Sequence, residues 1–421
     1  MNKYIIQGGH PLRGSISVGG SKNSAMPILS AALMINGITR LSNLPKLRDI
    51  DTFFQLISRT GAVVSQVEEN VYDIDARNIH TGEVDDSGID KIRGSQTLLG
   101  ALLARTGKVS LPSLGGCQIG SRPIDLHLNG LQQLGAESSN VKGVVHLEAK
   151  KLTASHIYFD YPSFGATANL ILASCLADGN TVIENAAQEP EIADLVNFLN
   201  KCGAKIYGIG SKTLRIVGVE SLKAVTHRIM PDRIQASTFM IAAVISSGDL
   251  LIENVSVNDF SSVIFKLRET GADIQIINQD KVQVRMGRRP DAFKIKTMPF
   301  PGFPTDVQSP MLALAAVADG MSVIVESVFE NRFQVASELN RMGARIVFNE
   351  RMATVFGVEK LNGAMVESQN LRAGASLVLA ALAADGESEI SGIETIDRGY
   401  EMLETKLAAC GGHITRMEDT E

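Results

Sequence analysis

The 421-residue sequence predicts an α/β protein of two inside-out α/β barrel domains, each made of three repeated β-α-β-α-β-β units with helices enclosed by sheets. Three observations predict it. A small-residue apolar run ending in glycine occurs six times, as AALMING (31–37), ALLARTG (101–107), ASCLADG (173–179), AAVISSG (242–248), LAAVADG (314–320) and AALAADG (380–386). In step with it runs Leu-x-x-x-Gly-Ala or a close variant, as LISRTGA (56–62), LQQLGA (131–136), LNKCGA (199–204), LRETGA (267–272), LNRMGA (339–344) and LAACGG (407–412). Successive glycines of either set lie 66–74 residues apart, and one period carried by two markers is an internal repeat. Finally, the first helix of each unit is apolar nearly all round, the pattern of a helix buried on every side.

Each element of a unit has its own signal. An extended stretch comes first, such as YIIQGGHPLRGSISVGG (4–20) or FGVEKLNGAMVES (356–368). The inner helix ends at a glycine, the residue that adopts a left-handed cap without a Cβ penalty. A β-branched alternation follows, as in NTVIENA (180–186), DLLIENV (249–255) and MSVIVESV (321–328), the period-two mark of a strand. The outer helix ends at the second glycine, and segments such as AKIYGIG, ADIQIIN and ARIVFNE supply the remaining strands. Three units to a barrel give two domains of ordinary size.

Bulk properties remove several function classes. A formal charge of −6 with scattered basic residues argues against nucleic-acid or anionic-membrane binding. MNKYIIQGGH has no apolar signal core, and no apolar run reaches a membrane span. Cys117, Cys175, Cys202 and Cys410 show no paired spacing, which suggests a reducing cytoplasm. The seven histidines form no ligand cluster, so no metal is expected.

Aligned by their glycines, the units place equivalent turns before the inner helices: SKNS (21–24), KIRG (91–94), SFGAT (163–167), PDRIQA (231–236), PTDVQ (304–308) and LRAG (371–374). A second set precedes the outer helices: KLRD (46–49), GSRPID (120–125), EPEIAD (189–194), VNDF (257–260), ENRF (330–333) and DRGYE (397–401). Two such barrels face to face would pool helix N-termini, whose free N–H groups suit anions. Lys22, Arg93, Arg122, Arg332, Arg372 and Arg398 stand at these turns. A lone arginine at a helix start is ordinarily solvated or ion-paired; six cations at equivalent turns imply a substrate rich in phosphate and carboxylate. PSLGGCQIGSRP (112–123) is a poor phosphate loop, with Ser121-Arg122 where Gly-Lys is needed. Cys117 there lies among glycines, five residues before Arg122, a setting that lowers a thiol pKa. The other three cysteines read as small buried hydrophobes. Asp306 opens an inner helix, either as an N-cap or as a general base among cations.

These residues carry a resemblance from end to end. The segments GGSKNSAMPIL (19–29), GGCQIGSRPIDLH (115–127), ENAAQEPEI (184–192), PDRIQASTF (231–239), PGFPTD (301–306), VFENRF (328–333), LRAGASLVLA (371–380) and IDRGYE (396–401) closely resemble those of the enolpyruvyl transferases. The resemblance implies the two-barrel enolpyruvyl transferase fold, with residues 21–229 as one barrel and residues 1–20 and 230–421 as the other. It also implies transfer of the enolpyruvyl group of phosphoenolpyruvate to the 3-hydroxyl of UDP-N-acetylglucosamine, releasing phosphate, at the first committed step of peptidoglycan synthesis. By resemblance, Cys117 is the acid at the vinyl carbon, forms a pyruvate-type adduct and is the target of fosfomycin, and Asp306 is the base. Lys22, Arg122 and Arg398 would hold phosphoenolpyruvate, with Arg332 and Arg372 in support. Asn23, Arg93, Arg122, Pro123, Ile124, Asp125, Leu126, Ser163, Phe164, Gly165, Asp306 and Val328 would line the sugar-nucleotide site. No metal or organic cofactor is implied, nor a nucleic-acid or membrane partner, and the enzyme is expected as a cytoplasmic monomer linked to cell shape and division.

Three departures stand out. Asn370 replaces the usual Asp before Leu-Arg, which removes a charge beside the cations and allows a less active or merely regulatory paralogue. Ser113-Leu114 lengthens the loop ahead of Cys117, offset near Gly107-Lys108. Tyr161 and Thr97 replace Lys and Trp that some relatives turn toward the nucleotide. Within the fold, the alternative is the shikimate-3-phosphate transferase, against which the Cys117 loop and the SKN and ENRF segments speak.

Overall fold

The computed structural model describes residues 2–84, 93–112 and 124–418. They form two compact units, one of residues 20–84, 93–112 and 124–230, the other of residues 2–19 and 231–418. The chain passes between them at Gly19–Gly20 and Met230–Pro231. Among the described residues no helix is long and apolar enough to cross a membrane.

Twelve α-helices appear among the described residues, in alternating roles. The inner ones are α1 (Lys22–Ala32), α3 (Leu98–Thr106), α5 (Phe164–Cys175), α7 (Arg233–Ile245), α9 (Gln308–Val317) and α11 (Leu371–Ala383). The outer ones are α2 (Arg48–Arg59), α4 (Asp125–Gln133), α6 (Pro190–Lys201), α8 (Ser261–Glu269), α10 (Val335–Arg341) and α12 (Leu403–Ala409). All of α7 and α9 is buried, as the unbroken apolar sequence requires. The outer α2 buries only one stripe, Asp49, Ile50, Phe53, Leu56 and Ile57, at the spacing of a helix face. Each unit has its own core: Leu102, Leu170, Phe198 and their neighbours in one, Met240, Leu314, Leu377 and theirs in the other.

Five sheets share one plan of four strands, the first pair parallel and the rest antiparallel. His156–Tyr158, Asn180–Glu184, Thr213–Val217 and Lys205–Tyr207 form one entirely from a single repeat. The repeats that begin with α1 and α7 exchange their first strands. Arg13–Ser17, which precedes α1, pairs with Asp249–Glu253, and Thr226–Arg228, which precedes α7, pairs with Ile38–Ser42. The N-terminal Lys3–Gln7 lies between Glu387–Ser391 and His413–Met417.

The outer-helix glycines behave as the sequence predicts: Gly61, Gly135, Gly203, Gly271, Gly343 and Gly411 all have positive φ, 88–104°. The inner set is mixed. Gly107, Gly179, Gly320 and Gly386 are left-handed, whereas Gly37 and Gly248 are not. At the second of these, Ser247 takes the positive φ instead. Gly248 is required for close approach, since a Cβ there would lie 2.4 Å from the Leu12 carbonyl oxygen.

Candidate active site

In the unit of residues 2–19 and 231–418, the site grows from turns ahead of inner and outer helices. Asp306 lies in a single 3-10 turn, Thr305–Val307, just before α9. Its carboxylate does not cap α9, whose N-cap Val307 makes no side-chain bond, so the N-cap reading falls. Instead Oδ1 accepts from Arg332 Nη2 at 2.6 Å and Oδ2 from Arg372 Nη2 at 2.9 Å. The two arginine side chains are 3% and 7% exposed, that of Asp306 26%. Arg332 stands in the turn before α10, its guanidinium 4.9 Å above the Phe329 ring. Its Nε is buried without a hydrogen-bond partner among the described residues.

Arg372 also donates to the Tyr400 hydroxyl at 3.4 Å, and that hydroxyl bonds Thr238 Oγ1 at 2.8 Å. Burial opposes the Arg372 charge, but Asp306, then Tyr400 and Asp232, outweigh it and raise its pKa above the ordinary arginine value. Burial likewise raises the Tyr400 pKa, so this phenol stays protonated. Asn370 is the N-cap of α11, its Oδ1 accepting from the Ala373 amide at 3.0 Å. Asn370 thus does the capping work for which Asn and Asp are nearly equal, while the charge an Asp would bring is absent. Arg398 is half-buried in the turn at 396–399. Its neighbour Asp397 anchors that turn through Arg416 at 2.6 Å.

In the other unit, α1 opens with Ser21 as N-cap, accepting from the Ser24 amide. Lys22, the first residue of α1, pairs with Asp49 of α2 at 2.9 Å, the two side chains 12% and 6% exposed. Ser24 Oγ donates to Asp194 Oδ2 at 2.6 Å, and Asp194 Oδ1 meets His227 Nε2 at 2.9 Å. Asn23 sits half-buried between them in sequence. Among the described residues, Asp49 balances Lys22, and Asp306 serves Arg332 and Arg372.

The expected nucleotide-binding turns are also helix starts. Ile124 is the N-cap of α4, followed by Asp125 and Leu126. Ser163 caps α5 through the Ala166 amide, ahead of Phe164 and Gly165. His127 joins these two turns. A Cβ at Gly165 would lie 2.8 Å from His127 Cε1, so glycine makes room for the ring. Burial lowers the His127 pKa to about 4, and Asn169 Nδ2 meets its Nδ1 at 2.7 Å. That amide also donates to the Gln96 carbonyl, while Asn169 Oδ1 takes the Gly100 N–H. Asn169 is thus the donor to a neutral imidazole whose proton lies on Nε2. Thr97 is buried and bonded to Ser30 Oγ at 2.8 Å and the Gly94 carbonyl at 2.7 Å. Its hydroxyl is spent inside its own unit. Tyr161 is 43% exposed.

Cys117, Arg122, Pro123 and the Ser113-Leu114 pair lie outside the described residues, as does the side chain of Arg93, which begins the 3-10 turn Arg93–Thr97. Cys175, Cys202 and Cys410 are free and buried. Burial raises the first two to a pKa of about 12 and the third above the ordinary thiol value. Among the described residues no group of three or more His, Cys, Asp or Glu could hold a metal ion. Sequence reasoning missed Asp49, His127, Asp194, Glu326 and Tyr400. Asp49, Asp194 and Tyr400 stood inside the aligned helix-start turns, and that was the available signal.

The family model described as EPSP synthase (3-phosphoshikimate 1-carboxyvinyltransferase) matches residues 6–407. A UDP-N-acetylglucosamine 1-carboxyvinyltransferase 2 of Carboxydothermus hydrogenoformans is 46% identical, with all of both chains covered. A UDP-N-acetylglucosamine 1-carboxyvinyltransferase of Geobacter metallireducens is 47% identical over the same extent. Among solved structures, the enolpyruvyl transferase NikO from Streptomyces tendae superposes with a TM-score of 0.90 at 26% identity, covering 99% of each chain. An EPSP synthase from Acinetobacter baumannii reaches 0.77 at 19% identity, covering 99% of this chain and 100% of its own.

Proposed function

The chain belongs to the EPSP synthase family of enolpyruvyl transferases, and from that premise we propose that it transfers the enolpyruvyl group of phosphoenolpyruvate to the 3-hydroxyl of UDP-N-acetylglucosamine, releasing phosphate. One observation carries the reading: identity of 46 and 47% across the whole of both chains with relatives named for that activity. The EPSP synthase structure, at 19% identity, shares the fold alone. The reaction is a transferase step of peptidoglycan synthesis. We read the enzyme as cytoplasmic, as its free buried thiols suggest, and as serving cell shape and division.

The proposed chemistry is addition followed by elimination. Cys117 gives a proton to the vinyl CH2, making it a methyl group, while the sugar 3-oxygen bonds the central carbon and its proton passes to Asp306. The resulting tetrahedral ketal then loses phosphate, which takes the proton held by Asp306, and the Cys117 thiolate takes a proton back from the methyl group to restore the double bond. Lys22, Arg122 and Arg398 hold the phosphate and carboxylate of phosphoenolpyruvate. Asn23, Arg93, residues 122–126, residues 163–165 and Val328 line the sugar-nucleotide site.

The described geometry supports the role of Asp306. A carboxylate gripped on both oxygens by buried guanidiniums is fixed in direction before substrate arrives, the condition under which positioning lowers a barrier. To accept the hydroxyl proton it exchanges one arginine bond for the substrate. The Val328 amide is already bonded to Glu326, so a main-chain contact from Val328 to the sugar uses its carbonyl, which accepts a donor.

The test is phosphate release from phosphoenolpyruvate with each acceptor in turn. Release with UDP-N-acetylglucosamine alone is expected. Release only with shikimate 3-phosphate, or with neither, overturns the reading.

A further inference from the structure

We propose that Glu326 is a positioning residue for this reaction, its buried carboxylate setting Asp306 and the Val328–Arg332 turn in one frame; the proposal rests on the function assigned above. Glu326 follows the strand Met321–Val325 and is 0% exposed. Its Oε1 accepts from Thr297 Oγ1 at 2.8 Å, the Val328 amide at 2.7 Å and the Phe329 amide at 3.1 Å. Its Oε2 accepts from Thr305 Oγ1 at 2.9 Å. Four donors match the roughly four acceptor positions of a carboxylate. Among the described residues no cation pairs with it, so neutral dipoles alone offset the cost of burying it.

The chain positions of those donors make this more than a loop staple. Thr305 immediately precedes Asp306, and Val328 and Phe329 lead into Arg332. Asp306 and Arg332 then bond each other at 2.6 Å, with the Arg332 guanidinium over Phe329. The path Glu326–Thr305–Asp306–Arg332–Phe329–Glu326 is a closed ring of covalent neighbours and noncovalent contacts. Glu326 therefore sets, from behind, both members of the ion pair that aims the base. Thr297 braces the ring from a third segment, its Oγ1 also accepting the Ser327 amide at 3.0 Å. Motion of either turn alone breaks a bond to the same carboxylate, so the two turns move together.

Two near-isosteric variants test this without emptying the core. Thr305→Val removes the single link next to Asp306, and Glu326→Gln keeps an acceptor at Oε1 while ending acceptance at Oε2. Each is expected to lower kcat about 10- to 100-fold, with KM for phosphoenolpyruvate within about twofold of wild type. The double variant is expected to be no worse than the weaker single, because both act on the one Glu326–Thr305 link. Thr305→Ser, which restores the hydroxyl, is expected to recover most of the rate. A staple without a catalytic consequence would lower Tm and leave kcat at 25 °C within about twofold of wild type in both variants, and that result overturns the proposal. Absence of phosphate release in the wild type would instead strike at the assigned function. The link is then read by amide hydrogen exchange, where Thr305→Val must speed exchange in residues 303–308 and 328–334 together; no change at the second segment overturns it.

Discussion

Arg372 donates from Nη2 to Asp306 Oδ2 at 2.9 Å, with its own side chain only 7% exposed. Since Arg332 holds the other oxygen, one carboxylate stands between two buried guanidiniums. Removing it leaves two like charges with little water to screen them. Asp306→Ala is expected to abolish turnover and to cost about 3 kcal/mol in urea unfolding. A variant within about 1 kcal/mol of wild type would show that the ion triad is not a stability element.

Asn370 caps the helix that carries Arg372. Asn370→Asp preserves the cap and restores the charge more usual in the family, so turnover is expected to change little, by less than about threefold. Asn370→Ala removes the acceptor for the Ala373 amide and is expected to cost about 1 kcal/mol in the same unfolding experiment. A gain of an order of magnitude or more in kcat for Asn370→Asp would restore the view that the missing charge limits this enzyme.

His127 is held neutral by burial, its pKa lowered to about 4 from 6.5. Below the unfolded value, the unfolded chain binds a proton that the folded one refuses, so stability falls as pH drops from 6.5 toward 4. The full loss is about 3 kcal/mol from this one group. Measured by denaturant unfolding between pH 7.5 and pH 4.5, the wild type is expected to lose more stability than His127→Gln. Parallel curves for the two proteins would show that the imidazole titrates normally.

With Cys175 and Cys202 raised to about 12 and Cys410 raised above its usual value, none of the three offers appreciable thiolate at neutral pH. Fosfomycin is expected to label Cys117 alone, as read by peptide mass spectrometry. Cys117→Ser is expected to lose turnover while retaining UDP-N-acetylglucosamine binding by calorimetry, because a hydroxyl is a far weaker acid than a thiol. Label on Cys175, Cys202 or Cys410, or near-wild-type turnover in the Ser variant, would contradict the role given to Cys117.

The repeat architecture was legible in the sequence because it is written in short-range terms: glycine where a helix must exit, unbroken apolar runs where a helix is enclosed, and alternation where a strand lies half-buried. Those signals located α1, α3, α5, α7, α9 and α11 and the turns before them, and with the turns Lys22, Asp306, Arg332 and Arg372. The partners of those residues were not legible. Asp49 lies 27 positions from Lys22, and Arg372 lies 66 from Asp306, and no local pattern links residues so far apart. No local pattern marks the exchange of first strands between the repeats of α1 and α7 either; only the resemblance implied it, by assigning residues 1–20 to the barrel of residues 230–421. Glu326 was least visible of all, since it falls inside MSVIVESV (321–328) and reads there as one more residue of a strand's alternation. Sequence alone determined which residue types stand at each helix start. Only the tertiary structure decided which charge neutralises which, because a pairing energy depends on distance and burial, and those exist only once the helices are packed.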